Sequence, residues 1–193
     1  MSLPTILDLA HTLAGQGVED GGMAIDATVG NGHDTLFLAH SAGPTGQVFG
    51  FDVQEEALAE ARRRLRADEA PQAPVQFVQA GHETMGQELS ESVEGRVGAV
   101  MFNLGYLPGG DQSVTTSPDT TRRALDISTT LLRPGGVITV VAYTGHEGGG
   151  EEARTVESWV ASLPQASFRA VTYRLANARN DPPQLFAVEK RAD

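Results

Sequence analysis

A chain of 193 residues, 40% hydrophobic and 20% charged, can build one full core, and a single domain over residues 1–193 is expected. The absence of cysteine excludes disulfides, thiolate metal sites and a cysteine nucleophile, and no apolar run approaches the ~18 residues that span a bilayer. A net charge of −11 weighs against a broadly basic nucleic-acid surface, although basic residues can still cluster locally.

Met1-Ser2-Leu3-Pro4 carries no basic segment followed by an apolar one, so no signal peptide is visible and a cytoplasmic protein is expected. Pro4 suits the first turn of an opening helix with Ile6, Leu7, Leu9, Ala10 and Leu13 as its apolar positions. Residues 23–28 read as a first strand, followed by a helix carrying Leu36, Phe37, Leu38 and Ala39. Gly43-Pro44-Thr45-Gly46 turns the chain into a second strand at 48–52. Residues 54–65 form a helix with Ala57, Leu58, Ala61 and Leu65 on one stripe. The linker at 70–74 leads to strand three at 75–79, and strand four spans 97–102. A helix over 119–131 is stopped by Arg133-Pro134-Gly135-Gly136, and strand five covers 137–143. After Gly148-Gly149-Gly150 comes a helix with Val156, Trp159, Val160 and Leu163.

Two last strands, 168–175 and 185–189, are joined by about nine residues, too few for a helical crossover, so they should be antiparallel. The expected architecture is therefore α/β and Rossmann-like: a seven-stranded, mostly parallel sheet with a C-terminal antiparallel pair and helices on both faces.

The run Ala24-Ile25-Asp26-Ala27-Thr28-Val29-Gly30-Asn31-Gly32-His33-Asp34 delivers the first strand into a two-glycine loop and a helix. Such a loop brings backbone close to a nucleotide-like cofactor. A dinucleotide fingerprint would place a small residue where Thr35 stands, and the loop offers no Lys or Arg to a phosphate. Asp34 would repel a pyrophosphate and suits a cationic ligand, which points to S-adenosyl-L-methionine, with its sulfonium and amino groups. Asp26, Thr28, Gly30, Asn31, Gly32, Asp34 and Thr35 are the candidate cofactor residues of this loop.

Asp52, followed by Val53, ends strand two at the distance where an acid accepts hydrogen bonds from a ribose. The alternative is a helix cap or turn Asp. His82 and Glu83 follow strand three, where an adenine would rest, or else they merely begin a helix. Asn103-Leu104-Gly105-Tyr106-Leu107-Pro108-Gly109-Gly110-Asp111 follows strand four, at the carboxyl edge where open α/β sheets hold ligands. Asn103 would offer an amide oxygen, Leu104 a carbonyl and Tyr106 a ring to an amine acceptor; a Gly/Pro surface loop is the plainer reading.

His146, beside glycines after strand five, either orients substrate or serves as a base, or is a solvated turn residue. Asn177, Asn180, Asp181, Pro182 and Pro183 make the last turn. Arg122, Arg123, Arg174 and Arg179 are the basic residues that could share the active-site face. His11, His33 and His40 do not form a ligand set, so no metal is expected.

Together these blocks resemble a family of small bacterial class I methyltransferases long labelled rRNA methylases. The resemblance runs over nearly the whole chain, on residues 26–35, Asn103 to Asp111, Tyr143 to Gly149, and Asn177-x-x-Asn180-x-Pro182-Pro183 with Glu189-Lys190. Ala80-Gly81 stand where the family commonly has an acid before Ser-His-Glu, which removes that side-chain contact to adenine and leaves a backbone one. The resemblance implies methylation of 5-aminomethyl-2-thiouridine at the tRNA wobble position to its 5-methylaminomethyl form, with tRNA as partner and a homodimer as one arrangement for RNA contacts. Asn103, Tyr106 and Asp111 would then act on the amine, Asp111 by accommodating charge on nitrogen. Leu104, Tyr106, His146, Arg174, Asn177 and Asn180 would bind substrate. An rRNA or small-molecule amine acceptor, and a non-catalytic cofactor-binding module, are the alternatives.

Overall fold

The structure is a computed structural model and describes residues 3–107, 109, 114–145 and 148–192. Helix α1 (Ile6–Gly17) opens on a capping box: Thr5 Oγ1 accepts from the Asp8 amide at 3.1 Å, and the Thr5 amide donates to Asp8 Oδ2 at 3.2 Å. Ile6, Ala10, Ala14 and Gly17 make its buried stripe. The small residues let the helix lie almost on the sheet. A Cβ on Gly17 would come within 2.3 Å of the Gly98 carbonyl oxygen, and one on Gly98 within 2.4 Å of the Gly17 carbonyl.

Seven strands form one sheet in the order β3-β2-β1-β4-β5-β7-β6. They are β1 (Met23–Asp26), β2 (Gln47–Asp52), β3 (Val75–Gln79), β4 (Val97–Leu104), β5 (Leu132–Ala142), β6 (Phe168–Tyr173) and β7 (Gln184–Lys190). The first five pair in parallel, and β7 runs antiparallel to both β5 and β6. The short β6–β7 connection does produce the expected antiparallel pair. It also leaves β6 pointing the same way as β5, so the β6–β7 loop lies at the carboxyl edge with the ends of β1, β4 and β5. β7 takes the inner position because Leu185, Phe186, Ala187 and Val188 are buried, whereas every residue of β6 keeps some exposure.

Helices α2 (His33–Ala42) and α3 (Glu55–Ala67) follow β1 and β2. Beyond β3 come a short helix α4 (Met85–Glu88), then α5 (Pro118–Leu131) and α6 (Gly149–Ser162). Alternation along the strands sorts the core: Ala24, Ala99 and Met101 pack with α1 and α2, while Ile25, Val100 and Phe102 pack with α5 and α6. Trp159, 1% exposed, anchors α6, and its indole donates to Asp126 Oδ1 on α5 at 2.8 Å. Lys190 Nζ donates to the Thr129 and Leu132 carbonyls at 3.0 and 2.8 Å, closing the end of α5 with a cation.

Several boundaries differ from the sequence reading; β4, for one, runs on through Leu104, so Asn103 lies within it rather than after it. β1 ends at Asp26 rather than residue 28, because the Asp26 carboxylate turns back onto the Thr28 amide. β5 begins at Leu132, and residues 133–136 form a bulge within it; the register jumps from Val97↔Leu132 to Ala99↔Val137. A turn composition was legible there, but not that pairing resumes on both sides of it.

Gly98→Ala is expected to destabilise the fold by about 1–3 kcal/mol, the cost of overpacking a close contact. A thermal melt reads this as about 2–4 °C for each kcal/mol in a chain of this size. An unchanged midpoint would mean that α1 can move away from β4 at no cost.

Candidate active site

The loop after β1 is held to both neighbouring strands at once. The Ala27 amide donates to the Met101 carbonyl of β4 at 2.9 Å, and the Val29 amide to the Phe51 carbonyl of β2 at 3.0 Å. Gly30 and Gly32 then take φ of +49° and +76°, conformations that a side chain disfavours. A Cβ on Gly32 would lie 2.6 Å from Cα and Cβ of Ala61, so α2 can start only if that position is bare. Gly30 has no such neighbour, and its open side faces a cavity of about 1260 Å³ at the carboxyl edge of the sheet. Arg64 of α3 donates from Nε to the Asn31 carbonyl at 2.7 Å and braces the loop from outside.

Of the expected loop residues, Thr28, Gly30, Asn31 and Asp34 line the cavity, whereas Asp26, Gly32 and Thr35 stand behind its wall. Asp26 has no exposed surface; its carboxylate accepts from the Thr28 amide at 3.1 Å and from Thr35 Oγ1 at 2.5 Å. Burial, with Asp34 and Asp52 nearby, pushes its carboxyl up to about 7.

Asp52 takes the turn role that the sequence offered as one of its two readings, and it also holds the glycine loop. Oδ1 accepts from the Gln54 amide at 2.9 Å as a turn residue, and Oδ2 accepts from the Gly30 amide at 2.9 Å. The side chain still lines the cavity, where each oxygen keeps a lone pair. Val53, Glu83 and His82 line the same end. His82, 6% exposed, meets Phe102 edge-on at 5.6 Å, and its Nε2 is buried without a partner among the described residues. Burial lowers its pKa, so a neutral imidazole faces this end of the cavity.

At the other end, Asn103 sits where β4 meets the loop. Its amide donates to Thr28 Oγ1 at 2.7 Å, and its Nδ2 donates to Asp34 Oδ2 at 2.5 Å. The carboxylate orients the side-chain amide, leaving Oδ1 buried and without a partner among the described residues. His11 of α1 reaches the second Asp34 oxygen at 2.6 Å, and that hydrogen bond raises its imidazole pKa against the effect of burial. Leu104 is buried, and its carbonyl accepts from the Tyr143 amide at 3.4 Å. Tyr106 and Tyr143, 37% and 38% exposed, both line the cavity. Burial, then Asp34, raises the Tyr143 phenol.

The chain past this loop is tied down by Glu152, a carboxylate 2% exposed. It accepts from Thr116 Oγ1 at 2.8 Å and Thr121 Oγ1 at 2.6 Å, while Thr116 Oγ1 accepts from the Gly105 amide at 2.9 Å.

Arg174, Asn177 and Asn180 do not line the cavity; they are exposed on the β6–β7 loop at the same edge. Asp181 of that loop does line it, and Thr144 Oγ1 donates to the Asp181 carbonyl at 3.3 Å. Arg122 and Arg123 are exposed on α5, with Arg122 paired to Asp126. Asp111 and His146 lie outside the described residues. His11, Tyr143 and Glu152 were not singled out as site residues by the sequence. No local pattern marks them, because each acts on a residue more than 20 positions away in sequence.

Asp26 is a carboxyl whose folded pKa lies above its unfolded value of 3.8. Between about pH 4 and 7 the folded state keeps the proton that the unfolded state has released, so this group's contribution to stability falls as pH rises. Asp26→Asn keeps an acceptor for the Thr28 amide and removes the ionisation. It is expected to be more stable than the parent above pH 7 by on the order of 1 kcal/mol, the gap narrowing toward pH 5. Thermal melts across that range check this; a gap independent of pH would show that Asp26 does not titrate in the window.

The family model described as "Putative rRNA methylase" matches residues 48–189. A chloroplastic tRNA (mnm(5)s(2)U34)-methyltransferase of Arabidopsis thaliana is 35% identical over 192 residues, covering 95% of this chain and 69% of that protein. A Clostridium thermocellum protein of the same description as the family superposes with a TM-score of 0.89 at 38% identity, over 98% of this chain and 100% of its own. A Streptococcus mutans protein solved in complex with SAH gives 0.84 at 34% identity, over 98% and 99% of the two chains. With a Rossmann-like sheet, a glycine loop and a shaped cavity at its carboxyl edge, the chain belongs to the rRNA methylase family.

Proposed function

We propose that this protein transfers a methyl group from S-adenosyl-L-methionine to the nitrogen of an aminomethyl group on the wobble uridine of tRNA. The observation that carries the reading is Asn103, which is fixed through its backbone amide and Nδ2 and keeps Oδ1 buried and, among the described residues, unpaired. A buried acceptor without a partner costs free energy unless a donor arrives, and an amine is such a donor. Similarity to the Arabidopsis tRNA methyltransferase across 95% of the chain supports the choice of acceptor.

The cavity suits the cofactor. Gly30 leaves backbone bare on its open side, Asp52 has lone pairs for ribose hydroxyls, and His82 Nε2 awaits a donor beside Phe102. When bound, S-adenosyl-L-methionine supplies a methyl carbon made electrophilic by its sulfonium. The chain's own residues then have mainly to position. Asn103 Oδ1 accepts one N–H of the neutral amine, and the Leu104 carbonyl, which keeps a second lone pair, accepts another. Together they aim the nitrogen lone pair. Tyr106 offers a ring on which an unpaired base can stack, and a wobble base needs no duplex opening to reach it. Asp111 is the acid proposed to accommodate charge developing on nitrogen. Arg174 and Arg179 give the acidic protein a small basic rim at the carboxyl edge.

Asp52→Ala should weaken binding of SAH by about 1.5–3 kcal/mol in calorimetry, as for a hydrogen bond to a charged group. Asn103→Ala should leave that affinity in place and lower turnover by about 100-fold, because misplacing a nucleophile by about 1 Å costs that much. Turnover unchanged by Asn103→Ala would remove it from the amine-holding role.

Charge reversal at Arg174 or Arg179 should raise KM for tRNA and leave an isolated aminomethyl nucleoside unaffected. The log–log salt slope for tRNA should be shallow, about −2 to −3 for three or four phosphate contacts. Methylation of the free nucleoside alone would instead favour a small-molecule amine as acceptor, in keeping with the net charge of −11.

A further inference from the structure

Asp34 is more deeply committed than a cofactor-facing carboxylate needs to be. It is 8% exposed, and both of its oxygens are taken from the acceptor end of the cavity. Oδ2 receives the Asn103 amide at 2.5 Å, and Oδ1 receives His11 Nε2 at 2.6 Å. His11 cannot swing freely, because its ring stacks on Phe37 with centroids 4.2 Å apart and planes 4° from parallel. Phe37 lies one helical turn beyond Asp34 on α2, so one helix face holds both the carboxylate and the platform for its partner. Helix α1, the start of α2 and the end of β4 thus meet through a single side chain.

The consequence falls on Asn103. A side-chain amide can turn over and exchange its oxygen and nitrogen, and in one of those orientations it would present N–H donors to the cavity, where they would compete with an amine. The carboxylate forbids that orientation, since Oδ1 would then face an anion. The His11 imidazole on the far oxygen satisfies the second half of the buried carboxyl, and that hydrogen bond raises the His11 pKa against the effect of burial.

We propose that His11 and Asp34 are positioning residues for methyl transfer: His11 fixes the Asp34 carboxylate, Asp34 fixes the Asn103 amide, and Asn103 Oδ1 is thereby presented to the acceptor amine. The step they serve is that of the proposed function, on which this inference rests. The S–CH3 bond breaks as the N–CH3 bond forms, SAH leaves, and the secondary ammonium releases its proton to solvent. Neither His11 nor Asp34 exchanges a proton in that account.

The test compares His11→Phe, which keeps the stacked ring and removes the donor, with His11→Gln, whose amide can still donate to Asp34. With tRNA carrying the aminomethyl wobble uridine, His11→Phe should lower kcat by about tenfold or more, the loss expected for a hydrogen bond to a charged group. KM for tRNA and calorimetric affinity for SAH should stay unchanged, and His11→Gln should recover most of kcat. Unchanged kcat in His11→Phe, or a glutamine variant no better than phenylalanine, would overturn the pairing in favour of simple packing. A parallel loss of SAH affinity would overturn it in favour of a cofactor contact.

NMR of the Asn103 side-chain amide, assigned by its loss in Asn103→Ala, needs no acceptor. A downfield amide proton is expected in the parent and His11→Gln, shifted upfield in His11→Phe and in the isosteric Asp34→Asn. An insensitive signal overturns the inference even if tRNA is methylated. Failure of the parent to methylate that tRNA, with the amide signal behaving as described, overturns the proposed function instead. If His11→Phe does not fold, Asp34→Asn carries both readouts, with lowered kcat and loss of the downfield proton expected.

Discussion

A carboxylate with no exposed surface, Asp26, is the point on which the site depends. Burying it costs free energy, and that cost is offset only while Thr28 and Thr35 both donate to it. Those two bonds end β1, turn the chain toward the cavity and fix the first turn of α2. Thr28, once held, supplies the oxygen that receives the Asn103 amide. Thr35, once held, sets the helix on which Asp34 stands. One desolvated acid thus organises both the loop after β1 and the end of β4 from behind the cavity wall.

The same device recurs on the opposite face of the sheet. Glu152 is a second buried carboxylate, satisfied by two threonine hydroxyls where Asp26 takes one hydroxyl and one backbone amide, and it draws Thr116 against Gly105 and Thr121 toward α6. Threonine suits the role because its hydroxyl can donate to the acid and accept from a backbone amide in the same geometry. Loops at the carboxyl edge carry few apolar contacts of their own. Buried acids give them fixed positions that hydrophobic packing, which is non-directional, would not supply.

Rigidity on that edge serves transfer chemistry that depends on alignment. The cavity has a neutral imidazole at one end, an oriented amide at the other, and two half-exposed tyrosines at its mouth. The overall charge of −11 sits awkwardly with a polyanionic partner, and Arg174 and Arg179 stand exposed on the β6–β7 loop at the same edge. Thr144 joins that loop to the end of β5, so the rim and the cavity are mechanically connected.

The alternation of strand and helix patterns, the glycine loop, the acid after β2 and the Asn103 block are all local, and composition and spacing alone determined them. Even the antiparallel finish followed from the length of one connection. What only the tertiary structure decided was which candidate faces the cavity and which stands behind it. Asp26, Gly32 and Thr35 belong to the same motif as Thr28, Gly30 and Asp34, yet they act through packing and buried hydrogen bonds. His11 and Asn103 are 92 positions apart in sequence order and meet across one carboxylate. Periodicity reports the face on which a residue lies, but a contact between distant segments is set by how helices and strands pack, and that information is carried by no single stretch of chain.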